Sequence, residues 1–301
     1  MKNYSVLILG CCPSDMTIGK SCSCFEFITV QLCHCLSAFP GVEVHAITID
    51  WRVAIDKDLV KKYDFILFIG YISNYASALE LYPLTKKKKI ITLSEFRDNN
   101  KDGWCFTFVK QYGINDRMTY VPSPCCKRLY RPNAKIPKTI LIDHYWEPAL
   151  NTLLDWSNSI QKWIAPLSKE YKIYRLVRFD GEDKTLLPHE IPIKTTYFDE
   201  YLESIRSMET FIVTHRESYG YGNIDNIALG TRVLAPPNFI SRADFIDYFN
   251  LSTFSNEKEL LRLITQPVDR KILDSNIDKC TDYGVVANMI HQKFLEFLEE
   301  S

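Results

Sequence analysis

Glu217 and Asp225 are two carboxylates with seven residues between them, inside the stretch Phe211 to Ala235, FIVTHRESYGYGNIDNIALGTRVLA. The stretch reads as a buried strand FIVTH, a glycine-containing turn, a helix ending at Gly230 and a second buried strand RVLA. Glu217 falls in the turn and Asp225 in the first turns of the helix. Carboxylates at such a place accept hydrogen bonds from ligand hydroxyls. The amide groups of a helix N-terminus receive an anion. In an open α/β sheet, the carboxyl end of a strand feeding a helix is where ligands bind.

The elements that must position this corner repeat along the chain. YSVLILG, VEVHAITI, DFILFIG and KKIITLSEF read as buried strands, apolar on both faces as a parallel sheet requires. Helical periods lie between them at 22–39, 53–62 and 74–85, and WCFTFVK and MTYVPSP are further short strands. Residues 122–138, PSPCCKRLYRPNAKIPK, carry four prolines and five basic residues and read as a linker. The alternation then restarts. KTILIDHYW is a strand, Pro148 is expected to open a helix to about Trp163, and YKIYRLVRF and IPIKTTY are strands. FDEYLESIRSM is a helix, the opening stretch follows, and YGVVANMIHQKFLEFLE, 283–299, is a last amphipathic helix. The fold class expected is α/β, with two Rossmann-like domains facing a central cleft. The expected division is 1–130, 131–282, and a helix 283–301 packing back on the first domain.

Composition bounds the function. The 301 residues are 46% hydrophobic and 24% charged, as in ordinary soluble proteins. A net charge of −1 argues against a protein that coats nucleic acid. No apolar run approaches the length of a membrane span. VLILG near the N-terminus is too short for a signal-peptide core, so a cytoplasmic location is expected. The ten cysteines form no matched CxxC pairs, so no metal site is expected, and they read as reduced thiols used as small hydrophobes. Cys33-His34-Cys35 reads as packing with one exposed imidazole. There is no G-x-G-x-x-G after either first strand and no G-x-x-x-x-G-K-[ST], which removes the main support for dinucleotide hydride transfer and P-loop phosphoryl transfer.

The opening stretch resembles the donor-binding segment of GT-B glycosyltransferases, whose pattern runs P-S-x-x-E-G-F-G, then a helix opening with a second Glu, then A-x-G-x-P-V. Here the run is Thr214-His215-Arg216-Glu217-Ser218-Tyr219-Gly220, followed by Asp225, Ala228, Gly230 and Val233. Glu217 matches the first acid, Gly220 the turn glycine, and Asp225 the second acid with Asp for Glu. The resemblance implies a nucleotide-sugar donor as co-substrate, with no cofactor and no metal. It gives Glu217 to the donor sugar, Asp225 to the ribose hydroxyls, and the amides of Tyr221, Gly222, Asn223 and Ile224 to the diphosphate. Arg178, Lys194 and Arg216 are the cations placed to meet the leaving group's charge. Family members often carry G-R and K-G to grip the pyrophosphate. Here that position reads Asp143-His144-Tyr145-Trp146, so the grip differs or His144 takes part. His144 and His215 are each as compatible with packing as with donor contact.

The first domain is expected to hold the acceptor, through the loop with Asp15, Gly19 and Lys20 and the strand end Ser94-Glu95. Inversion at the anomeric carbon needs a base, for which Asp15 and Glu95 are the candidates. Retention needs none, and the Glu-x7-Glu-like pattern leans that way. The acceptor expected by default is a surface glycan or a lipid-linked sugar; a modified DNA base is the second option, since compact two-domain glycosyltransferases of DNA viruses share this architecture, with the net charge of −1 against it and the basic run Lys127, Arg128, Arg131 and Lys135 for it. A nucleotide-sugar epimerase of the same fold and a non-catalytic nucleotide-sugar-binding protein are the competing readings.

Overall fold

The computed structural model describes residues 3–12, 24–50, 56–70, 90–94, 104–107, 118–127, 129–143, 146–147, 152–153, 156–177, 182–195, 198–215, 221–237 and 243–300. The chain divides into two compact units, one of residues 1–126 with 281–301 and one of residues 127–280.

Six parallel strands make the sheet of the first unit. They are β1 (Tyr4–Cys12), β2 (Val42–Asp50), β3 (Phe65–Ile69), β4 (Ile90–Ser94), β5 (Trp104–Thr107) and β6 (Met118–Tyr120), in the order β2-β1-β3-β4-β5-β6. Val6, Leu7 and Ile8 have no exposed surface, which is why this run carries apolar side chains on both faces. Helix α1 (Cys24–Leu36) buries Ile28, Leu32 and Leu36, one residue per turn, and α2 (Lys57–Lys61) follows β2. Cys33 and Cys35 are half-buried and His34 is exposed. The expected helix at 74–85 lies outside the described residues.

Thr29 of α1 lies against Gly10 of β1. A Cβ built on Gly10 would stand 2.3 Å from Thr29 Oγ1, 3.1 Å from its Cβ and 3.3 Å from its Cγ2, so Thr29 must shift to make room. Gly10→Ala is therefore expected to cost about 1–3 kcal/mol of overpacking. Chemical unfolding checks this, and a loss below about 0.5 kcal/mol would refute the contact.

The short strand β7 (Pro124–Cys125) ends the first run of this unit, and the chain returns to it at β16 (Thr281–Asp282), which pairs with β7 in parallel. Helix α9 (Tyr283–Glu299) then lies on this unit. The Asp282 side chain caps it by accepting from Gly284 N at 2.9 Å. Its buried face is Tyr283, Val286, Ala287, Ile290, His291, Phe294 and Phe297, the 3–4 spacing of a single stripe. Phe294 stacks on Phe65 with ring centroids 4.4 Å apart, and His291 Nδ1 lies 2.5 Å from the Tyr4 hydroxyl.

Burial holds the His291 imidazole below its ordinary value of 6.5. The folded state thus favours neutral imidazole. The contribution of this packing is fully present above pH ~6.5, where the unfolded histidine is also neutral, and falls as pH drops through the folded value. A His291→Phe variant is expected to flatten that part of the stability–pH profile between pH 7 and about 5. An unchanged profile refutes it.

In the second unit the strands are β8 (Thr139–Asp143), β11 (Lys172–Leu176), β12 (Glu190–Ile193), β13 (Thr210–Val213), β14 (Arg232–Ala235) and β15 (Ser252–Thr253). All are parallel, in the order β12-β11-β8-β13-β14-β15. Between β8 and β11 stand an antiparallel pair, β9 (Trp146–Glu147) with β10 (Thr152–Leu153), and helix α3 (Ser157–Ile164). This differs from a helix opening at Pro148: Thr152 and Leu153 are spent on β pairing, and the amphipathic period begins only at Ser157. The remaining helices are α4 (Phe198–Ile205), α5 (Tyr221–Ala228), α6 (Ala243–Tyr248), α7 (Glu257–Thr265) and α8 (Arg270–Lys279). The core joins Ile140, Ile142, Ile173, Ile212 and Leu234 of the sheet to Ile160, Ile164, Leu260, Leu263 and Ile264 of the helices. Gly230, at φ +73°, ends α5 in the left-handed conformation that a helix C-terminus calls for.

From Lys127 onward the proline-rich segment is part of this unit. Ile136 N donates to Ser207 O at 2.9 Å, and Lys135 Nζ donates to Arg206 O at 2.8 Å and Thr231 Oγ1 at 2.9 Å. Burial, with the Arg270 charge adding, pushes the Lys135 ammonium down to about 7.

Candidate active site

Numbered in chain order within this unit, the strands stand 3-2-1-4-5-6, the Rossmann order. The chain leaves β8 toward β11 and β12, then crosses to the other side for β13. The switch point therefore lies between β8 and β13, and there Val213 pairs with Asp143. Open α/β sheets bind ligands outside the carboxyl ends of strands at such a point, because the connections diverge and leave a crevice.

Polar groups stitch this point together. Thr214 Oγ1 donates to the Asp143 carbonyl at 2.5 Å, and His215 Nδ1 lies 3.1 Å from the same oxygen. A carbonyl only accepts, so His215 Nδ1 is the donor in this contact. Ser157, at the start of α3, donates to Thr214 Oγ1 at 3.2 Å. Thr214 and Ser157 are fully buried and Asp143 nearly so. Buried polar groups in this density hold a crevice in one geometry only when they are bonded to one another.

Helix α5 supplies the other side. The first turn of any helix leaves its N–H groups without intrahelical acceptors, and Tyr221 to Ile224 occupy that turn. A Cβ built on Gly222 would lie 3.8 Å from the Tyr201 hydroxyl and 4.0 Å from Asp143 Oδ2, so the helix start closes on the Asp143 side chain. Asn223 is buried, and its Nδ2 has no hydrogen-bond partner among the described residues. Asp225 is also buried, and its Oδ1 accepts from the Tyr130 hydroxyl. Asn226 Nδ2 donates back to Gly222 O at 2.8 Å, which ties the turn.

Of the residues singled out in the sequence, the structure sets His215 and Gly222 beside Asp143, while Tyr221, Asn223, Ile224 and Asp225 share helix α5 with Gly222 and the Asp225 carboxylate is held by Tyr130. The Ile224 side chain is in the core, so only its amide serves there. Lys194 is not brought to the corner. It follows β12, two strands from β8, with its ammonium 2.8 Å from Asp183 Oδ2 and both side chains exposed. Glu217, Arg216, Gly220, His144, Arg178, Asp15, Gly19, Lys20 and Glu95 lie outside the described residues. Three participants were not foreseen: Tyr130, Thr214 and Ser157. A hydroxyl residue directly after FIV was a legible signal for Thr214. A tyrosine inside a proline-rich basic run gave none for Tyr130.

Among the described residues no cluster of three His, Cys, Asp or Glu side chains is arranged to hold a metal ion, and no helix is long and apolar enough to cross a membrane. Cys33, Cys35, Cys105, Cys125, Cys126 and Cys280 are thiols, not disulfides.

No protein-family model matches the chain, and no curated protein matches it in sequence. Solved structures do match its fold. The glycosyltransferase AviGT4 of avilamycin A biosynthesis matches with a TM-score of 0.68 at 10% identity, over 99% of each chain. A glycosyltransferase from Rickettsia africae matches with a TM-score of 0.67 at 12% identity, over 100% of each chain. The UDP-GlcNAc 2-epimerase of Neisseria meningitidis, bound to UDP-GlcNAc, matches with a TM-score of 0.59 at 10% identity, over 97% of this chain and 100% of that one. The fold is the two-unit Rossmann-like fold of these enzymes. It is shared by glycosyltransferases and epimerases, so fold alone does not choose between their chemistries.

Proposed function

We propose that the protein is a glycosyltransferase that moves a hexosyl or pentosyl group from a nucleotide sugar to an acceptor. The observation that supports this reading is the switch-point corner, where helix α5 begins, at Gly222, beside Asp143 of the Asp143–Thr214–His215 stitch, with Asp225 one turn further along the same helix. A helix N-terminus suits a diphosphate and a buried carboxylate suits vicinal ribose hydroxyls. Glu217, which follows β13 and precedes α5 in the sequence, orients the donor sugar. Arg178 and Arg216, with the α5 dipole, offset the charge on the departing diphosphate without a metal, and Lys194 is a more distant contributor. In transfer, the anomeric C–O bond to diphosphate breaks and one to the acceptor oxygen forms. The acceptor's proton passes to the donor phosphate under retention, the favoured course, or to Asp15 or Glu95 under inversion. Gly19 and Lys20 stand on the acceptor side. A surface glycan or lipid-linked sugar is the acceptor first expected, with a modified DNA base second, in a cytoplasmic setting.

Thermal shift against a panel of UDP, GDP and CMP sugars tests the reading. One nucleotide class is expected to raise the melting temperature, with free nucleotide released only when acceptor is present. No shift with any member would sink it. The likeness to UDP-GlcNAc 2-epimerases sustains a second reading, for which inversion at C2 of UDP-GlcNAc without any acceptor is the discriminating result.

A further inference from the structure

The two six-stranded sheets have four edges, and three of them are blunted. Strand β6 is three residues long, β15 is two, and β12 carries Pro192. Short strands and proline are common guards against pairing with another chain. The fourth edge, β2, has neither. Its nine residues, VEVHAITID, include no proline, lysine or arginine, and they pair with β1 residue for residue without a bulge. Glu43, His45, Ala46 and Ile47 are exposed, so the run is open to solvent.

The ladder decides which backbone groups of β2 stand free. Tyr4 N donates to Gly41 O at 3.1 Å. Alternate residues of a strand in a parallel pair turn their N–H and C=O to the same neighbour, so the odd-numbered residues from Gly41 to Ile49 bond β1. The even-numbered residues turn theirs outward. Val42 N meets Phe39 O at 3.2 Å, and the outward groups of Val44, Ala46 and Thr48 have no partner among the described residues.

We propose that β2 is a self-association edge, pairing antiparallel with β2 of a second copy about a two-fold axis at Ala46. In an antiparallel ladder, residues whose bonding groups point outward face one another. The register that overlaps all nine residues meets this condition. Val44 faces Thr48 of the second copy, Ala46 faces Ala46, and each such pair exchanges two N–H···O bonds. One edge thus serves both copies, as an isologous contact requires. Identical side chains meet only on the axis, and Ala46 is the smallest residue of the strand. His45 faces the exposed Ile47 of the second copy, with its imidazole held by the Tyr63 hydroxyl at 2.6 Å. The two acids of the strand stand opposite Ile49 and Val42 in this register, not opposite each other. A net charge of −1 leaves the copies little mutual repulsion.

Sedimentation equilibrium of the full chain over a concentration series tests this. A monomer–dimer equilibrium is expected with a Kd on the order of 10 µM, since one strand pair is a small interface. Amide hydrogen exchange is expected to slow with concentration at Val44, Ala46 and Thr48, and not at Glu43, His45 or Ile47, whose amides are bonded within the chain. Ala46→Pro removes an N–H that bonds nothing within the chain, so the fold is expected to survive while dimerisation weakens about tenfold or more. Ala46→Lys sets two ammonium groups across the axis and is expected to weaken it likewise; it carries the test if the proline variant does not fold. Ile191→Lys, on the β12 edge, is expected to leave the association unchanged. The proposal is overturned by a chain that stays monomeric to about 1 mM, or whose β2 edge takes up only a different chain. It is equally overturned by a dimer that survives both Ala46 variants, a dimer lost in Ile191→Lys, or exchange protection that does not alternate.

Discussion

Arg175→Met is expected to destabilise the second unit by about 3–5 kcal/mol, the cost of leaving buried charges without their partner. Arg175 sits on β11 with its side chain fully enclosed, and Glu182 and Glu190 beside it are 2% and 0% exposed. Its Nη2 donates to Thr185 Oγ1 at 2.5 Å and lies 3.5 Å from Glu182 Oε1, and its Nη1 lies 3.5 Å from Glu190 Oε2. Glu190 also accepts from Gln161 Nε2 at 2.9 Å and from Leu187 N at 2.8 Å. The cluster thus ties the edge strand β12, the turn at Glu182–Thr185 and helix α3 to β11. Removing its guanidinium takes a cation from beside two carboxylates in a low-dielectric interior. Urea unfolding should show the loss, with a drop in melting temperature on the order of 10 °C for a unit of this size. The triple variant Arg175→Met, Glu182→Gln, Glu190→Gln should recover much of it, because no unpaired charge then remains. As a control, Lys138→Met breaks the exposed pair with Glu170 and should change stability by less than about 1 kcal/mol. If Arg175→Met stays within 1 kcal/mol of the native protein, the cluster is not the constraint described.

The second large effect is on donor binding. Asp225→Asn keeps the shape of the side chain and its acceptor for the Tyr130 hydroxyl, but removes the charge. Charge-assisted bonds to ribose hydroxyls are worth about 1.5–3 kcal/mol, so nucleotide-sugar affinity should fall roughly 10- to 100-fold with little change in stability. Tyr130→Phe should behave in the opposite way. It removes a donor from a buried carboxylate and is expected to cost about 1–2 kcal/mol of stability, with a smaller effect on affinity. Glu217→Ala should lose transfer and keep the fold. Equal nucleotide affinity in Asp225→Asn and the native protein would refute the ribose role.

Much of this architecture was legible because local rules govern it. Apolar runs such as FILFI and TILID are buried on both faces, so they declare parallel strands without help from context. The 3–4 period of Tyr283–Glu299 declared the final helix, and Gly230 marked the end of α5. Helix α8 was not legible: RKILDSNIDK has only three apolar residues in ten, and its stability comes from the Asp269 cap and from packing. The β9–β10 pair was likewise hidden, since two-residue strands carry no period.

At the candidate site, a strand followed by a helix could be read from residue types alone, because a helix start is set by neighbours in sequence. The sequence could not tell that Asp143 and His215, which are 72 positions apart, meet at 3.1 Å, nor that Tyr130 holds Asp225. It could not show that Arg175, one residue in an ordinary strand pattern, is enclosed between two glutamates. Those facts depend on the strand order that sets β8 beside β13 and β12 beside β11. That order is chosen by the burial of all the apolar faces at once, so no single stretch of the chain contains it.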